Sequence, residues 1–288
     1  MTNLCNKVLP MCKTSRYAML LYLNKDYTQS LISVNKGLII DKDNHLLKRL
    51  RMYDLYETGA YKEGLEAADL FFNGQEESDY VYLDLLYHGR LLQANEQNEE
   101  AIQWFEKAIK ADTSHEHPEI IKETSTAYEK LQNYPEAIHL YLLYLDELNG
   151  KAEISDRFLL GRLYYMAAGS NTTNELEKKS YLKKADEIFA EISQCVPNNY
   201  LGYFWRARTN AMADPESTEG LAKPYYESAL ALLEKKTDAS KSLIIECESY
   251  LGYYHFLKKD YDQSKVYWNK ILQLDPENVT AKQALRGL

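Results

Sequence analysis

The chain is short of the residues that punctuate or staple small folds, with 12 Gly, 7 Pro and 4 Cys in 288 residues. So little Gly and Pro excludes a turn-rich all-β fold and a low-complexity linker. Cys5, Cys12, Cys195 and Cys247 form no C-x-x-C pair, which argues against a zinc knuckle or a thioredoxin-type motif. Four cysteines in a sequence this long make no disulfide scaffold and read as small buried hydrophobes. Long apolar runs are missing too. The run Ala18-Met19-Leu20-Leu21-Tyr22-Leu23 is far too short to cross a bilayer, and Lys7, Lys13, Arg16, Asn24 and Asp26 leave no room for a signal-peptide core. Direct membrane insertion is therefore not expected. A cytoplasmic location is expected, or a periplasmic one if a leader precedes this start. Basic charge is in deficit, 34 Lys+Arg against 43 Asp+Glu for a net −9, so nucleic acid is not an expected partner.

Signatures of chemistry are absent as well. No G-x-x-x-x-G-K-S/T, G-x-G-x-x-G or H-E-x-x-H occurs. His115-Glu116-His117 lies in a connector before Pro118 and lacks the further ligands a metal would need. Asp41-Lys42-Asp43-Asn44 begins like a calcium loop, but no Gly takes the sixth place and Met52 stands where the bidentate Glu belongs. The sequons at Asn171 and Asn278 matter only in a secretory eukaryotic setting. No catalytic, cofactor or metal site is read from the sequence, and a non-enzymatic role is expected.

What the sequence does contain is a repeat, and 25 tyrosines. Near the C-terminus, Leu251-Gly252, Ser264, Trp268 and Asp275-Pro276 set a frame of small and large residues. The frame recurs as Leu160-Gly161 with Ala185, Phe189 and Pro197, as Gly89 with Ala101, Phe105 and Ala108, and as Tyr128 with Ala137 and Tyr141. Tyr203 and Ala207 with Ala222, Tyr226 and Ala229 repeat it, and weaker copies fall around Gly64 and Ala18. Unit starts lie near 11, 45, 82, 118, 154, 200 and 245, at intervals of 34, 37, 36, 36, 46 and 45. Residues four and seven apart share a helix face, so Ala101, Phe105 and Ala108 form one stripe that only a neighbouring helix can bury. Asp26, Asn133 and Asp260 precede second helices as N-caps, and Pro135 falls in a first turn. The extra residues of the long units sit in turns around Gly169 to Thr173 and Asp214 to Gly220.

This frame, at about 34 residues per unit, resembles the tetratricopeptide repeat (TPR). The stretch from Trp205-Arg206-Ala207-Arg208 to Ala222-Lys223-Pro224-Tyr225-Tyr226 resembles standalone repeat proteins of Bacteroidetes-like bacteria. The resemblance implies an all-α solenoid of about seven helix pairs over 11–278, wound into a right-handed superhelix. Residues 1–10 form a lead-in and 279–288 a capping helix. It also implies a concave groove lined by the first helix of each pair, where peptides bind. The positions projecting there are Arg49, Tyr53, Tyr56, Tyr87, Arg90, Phe158, Arg162, Tyr165, Phe204, Trp205, Arg208, Tyr250 and Tyr253, with Phe256 beside them. Arg with Tyr and Trp is hot-spot composition. In an acidic protein four such Arg make a positive trough, suited to an acidic segment or a C-terminal carboxylate. The residue set of the heat-shock carboxylate clamp is not present; Lys122 stands between Glu119 and Glu123. Two readings stay open: an adaptor that binds a protein or peptide segment in this groove, or an assembly module that uses its convex face or self-association. The same row also serves the inner-face packing any solenoid needs.

Overall fold

The computed structural model describes residues 14–73 and 76–288; the lead-in 1–10, the unit start at 11, Cys5 and Cys12 lie outside them. The described residues are helical throughout, apart from turns. Helix pairs follow one another as α1 (14–23) with α2 (Tyr27–Ile40), α3 (His45–Glu57) with α4 (Tyr61–Phe72), α5 (Tyr82–Ala94) with α6 (Asn98–Ala111), and α7 (Glu119–Lys130) with α8 (Tyr134–Glu147). These belong to a first compact unit ending at Leu148. A second unit begins at Asn149 and holds α9 (Ile154–Ala168) with α10 (Glu175–Cys195), α11 (Tyr200–Ala213) with α12 (Lys223–Leu233), α13 (Lys241–Leu257) with α14 (Tyr261–Leu274), and α15 (Val279–Arg286). None of the described helices is long and apolar enough to cross a membrane.

The small-to-large frame is what seals each pair. A Cβ at Gly252 would lie 2.8 Å from the Trp268 ring, and one at Gly161 would lie 2.8 Å from that of Phe189. Both rings are buried. Trp268 is also tethered, since its indole N–H donates to the Ser264 hydroxyl (3.1 Å), which donates to the Gly252 carbonyl (2.8 Å). Helices that approach this closely bury one another's stripes, and in a solenoid that burial, summed over neighbours, is the main stabilising term. The core of the first unit centres on Leu47, Leu50, Met52, Ala68 and Phe71. That of the second runs from Phe204, Ala207, Tyr226 and Leu251. Trp268, Ile271 and Ala281 close it beneath α15.

The caps match the sequence reading only in part. Asp26 accepts from the Gln29 amide (3.3 Å) and Asp260 from that of Gln263 (3.4 Å). The Asn133 side chain makes no capping bond. Pro135 stands second in that helix and has no N–H, which removes one of the two amides a cap side chain reaches. The two long turns are held by side chains instead. Thr173 donates to the Ala167 carbonyl (2.7 Å), and the Asp214 carboxylate accepts from the amides of Thr218, Glu219 and Gly220 (3.0, 3.0 and 2.8 Å).

Candidate functional site

In the first unit the sequence-derived groove residues are consumed by packing between repeats. Arg49 on α3 donates through Nε and Nη2 to both oxygens of Asp84 on α5, at 2.7 and 2.8 Å. The Tyr53 hydroxyl donates to the same carboxylate at 2.6 Å, and the Val81 amide at 2.9 Å. The Asp84 side chain is wholly buried. Tyr53 stacks on Tyr87 with centroids 4.2 Å apart. The Tyr87 hydroxyl bonds Glu57 (2.5 Å) and lies 3.1 Å from that of Tyr22. Burial, reinforced by Asp84 and Glu57, pushes the Tyr53 and Tyr87 hydroxyls far above the ordinary tyrosine range. Both rings are buried, so neither offers surface to a partner. Arg90 on α5 forms a two-point pair with Glu123 on α7 (2.8 and 2.5 Å) while lying over Tyr56 and Tyr87, 5.9 and 5.7 Å from their centroids.

The second unit differs. Arg208 on α11 pairs bidentately with Glu246 on α13 (2.7 and 2.6 Å) and covers Phe204, which is buried. Trp205, half-buried, sits at the centre of an aromatic group. Tyr165 and Phe158 meet its ring edge-on at 5.4 and 5.7 Å, and Phe189 lies 5.7 Å away. Two guanidiniums lie over Trp205, that of Arg208 at 5.0 Å and that of Arg162 at 5.9 Å. Burial raises the Tyr165 hydroxyl above its usual range; Arg208 partly offsets this and Glu246 adds to it, so at neutral pH the hydroxyl is a donor. Tyr250 packs on Tyr226 at 4.7 Å. Tyr253 and Phe256 are exposed and, with Trp268, Gln283, Ala284 and Leu288, line an apolar pocket of about 220 Å³ beside α15.

The expected positive trough is therefore not what the arginines build. Arg49, Arg90 and Arg208 each carry a carboxylate from the next repeat, 35, 33 and 38 residues on. Sequence reading missed these acids, although carboxylates one repeat after an arginine were a readable signal. Lys122 is likewise engaged, lying over Tyr144 at 5.0 Å. At the connector, His115 approaches Glu147 (3.2 Å) and His117 stacks on Tyr82 (4.4 Å). Among the described residues no group of three His, Cys, Asp or Glu gathers to hold a metal.

No protein-family model matches the sequence, and no curated protein matches it. Solved structures do. The C-terminal part of a TPR repeat-containing protein from Cytophaga hutchinsonii is 27% identical, with a TM-score of 0.74 over 94% of this chain and 99% of that one. A tetratricopeptide repeat protein from Parabacteroides merdae is 15% identical, with a TM-score of 0.54 over 96% of this chain and 97% of that one. A structure of Naa15/Naa10 bound to HypK-THB matches 96% of this chain over 39% of its own, at 16% identity and a TM-score of 0.51. The protein has the all-α tetratricopeptide-repeat fold and resembles repeat proteins of Bacteroidetes.

Proposed function

We propose that this protein is a non-enzymatic adaptor that binds a segment of a partner protein along the first helices of its second unit. The observation that carries the reading is the group around Trp205, where Arg162 and Tyr165 stand half-buried beside Phe158 with no side-chain hydrogen bond or ion pair among the described residues, whereas Arg49, Tyr53 and Arg90 of the first unit are bonded to Asp84 and Glu123. Large amphipathic rings beside a guanidinium supply contact area and polar reach together, which is what interface hot spots use. Its fold likeness to the Naa15/Naa10 structure bound to HypK-THB is consistent with a role in assemblies. Peptide binding by the first helices rests on the Trp205 group itself. The second reading, an assembly module working through its outer face, is favoured by exposed apolar residues on second helices such as Ile39 and Leu176, 86% and 80% exposed.

The two separate by affinity purification from the native host. Tyr165→Ala with Trp205→Ala, in a protein of unchanged helical signal, loses the co-purifying partner, whereas Ile39→Ser with Leu176→Ser retains it. The reverse pattern would establish the outer-face reading.

A further inference from the structure

Arg90, Arg162 and Arg208 each directly follow the small residue that lets their helix pack, namely Gly89, Gly161 and Ala207. They are the same position in three repeats. Arg90 reaches across to Glu123, which stands two residues before the buried Ser125 of the next first helix. Arg162 reaches across to the equivalent place, two residues before Ala207, and finds Trp205. One substitution of slot, Trp for Glu, leaves Arg162 without a carboxylate: among the described residues it makes no ion pair, and its contact is the Trp205 ring.

The surrounding groups share this imbalance. Tyr165 lies three residues from Arg162 on the same helix face. Neither its hydroxyl nor the Trp205 indole N–H has a hydrogen-bond partner among the described residues. Arg208, the other guanidinium over the ring, is already held by Glu246. The site thus offers a guanidinium fork, a phenol O–H and an indole N–H, with no acceptor for them. A planar guanidinium lying beside an aromatic ring keeps its in-plane donors free, the geometry that suits two-point capture of a carboxylate.

We propose that Arg162, Tyr165 and Trp205 form a docking point for a single carboxylate of a bound peptide, one flanked by an apolar or aromatic residue that packs on Phe158 and the indole. This rests on the adaptor reading and sharpens it. The partner is recognised by one negative charge at one repeat, not by an acidic run along the whole solenoid. The carboxylate is supplied by an Asp or Glu side chain or by the free C-terminus of the peptide, and both sources present the same two oxygens.

The test selects binders to the full-length protein from two libraries of random dodecapeptides, one displayed internally and one with free C-termini. Synthetic versions of the winners are then titrated by fluorescence polarisation. Expected: changing one Asp to Asn or Glu to Gln, or amidating the C-terminus, weakens binding roughly tenfold to a hundredfold, the range for hydrogen bonds to a charged group. Which change does so identifies the source. Arg162→Ala matches that loss, and Trp205→Glu matches it by giving Arg162 the internal partner Arg90 already has. Should Trp205→Glu fail to fold, Arg162→Gln carries the same prediction. Binders whose affinity stays within threefold across neutralised peptides and Arg162 variants would overturn the docking point and leave the adaptor reading standing. No binder enriched over bare resin would remove both.

Discussion

Asp84→Ala lowers the stability of the first unit by about 3–5 kcal/mol, the range for removing one partner of a buried ion pair. The size follows from what the carboxylate holds. Four donors converge on its two oxygens, from Arg49 Nε and Nη2, the Tyr53 hydroxyl and the Val81 amide, and no water shares them because the side chain is fully buried. Deleting it leaves the Arg49 guanidinium without its counter-charge and the buried Tyr53 phenol and the Val81 amide without an acceptor, each of which costs free energy. Arg49→Leu strands the carboxylate in turn. Arg49→Leu with Asp84→Leu costs clearly less than the two single changes together, because no charge is left stranded, although the Tyr53 hydroxyl and the Val81 amide still lose their acceptor. Urea unfolding followed by circular dichroism reads all three. A loss below about 1 kcal/mol for Asp84→Ala would show that the network is incidental to the stack.

The second large effect depends on pH. Asp54, wholly buried on α3, has neither carboxylate oxygen hydrogen-bonded, the nearby Ser30 hydroxyl being given to the Ala18 carbonyl. Burial pushes its pKa up to about 7, Ser30 partly offsetting and Glu57 adding to the rise. Glu248 on α13, buried with one oxygen unpartnered, is likewise pushed up to about 7 by burial, against the pull of Lys270. Both acids are more easily ionised in the unfolded state than in the folded one. In the folded state these two groups therefore hold protons that the unfolded state releases, and the stability they contribute is full below about pH 4 and declines as pH rises through about 7. Asp54→Asn and Glu248→Gln remove that decline. At pH 8 each variant is more stable than the parent by about 2–4 kcal/mol, and at pH 4 the differences largely vanish. Thermal melts of parent and variants at the two pH values measure it; a variant-minus-parent difference that is the same at both would contradict the burial of these charges.

Much of the fold was legible because its packing rule is local. Gly252 with Trp268 and Gly161 with Phe189 are size-complementary pairs within single repeats, and the same frame recurs often enough to be read without any structure. The site was less legible because charge pairing crosses from one repeat to the next. Arg49, Arg90, Arg162 and Arg208 look alike in sequence, yet three are satisfied internally and one is not. The difference lies in Asp84, Glu123, Trp205 and Glu246, residues of the following repeat. Aromatic position alone also misleads: Tyr53 and Tyr87 occupy groove slots but stack on each other in the interior, whereas Tyr165 remains at the surface of the Trp205 group.

The claim that a partner lies along the first helices of the second unit is tested most directly by site-specific photocrosslinking in the native host. Benzoyl-phenylalanine is placed at position 166 on α9, which is exposed and one turn from Arg162, at position 176 on α10 and at position 266 on α14, and adducts are mapped by mass spectrometry. Binding along the first helices predicts an adduct from position 166 to one discrete segment of a partner, and none from positions 176 and 266. Adducts from 176 or 266, with position 166 silent, would contradict it.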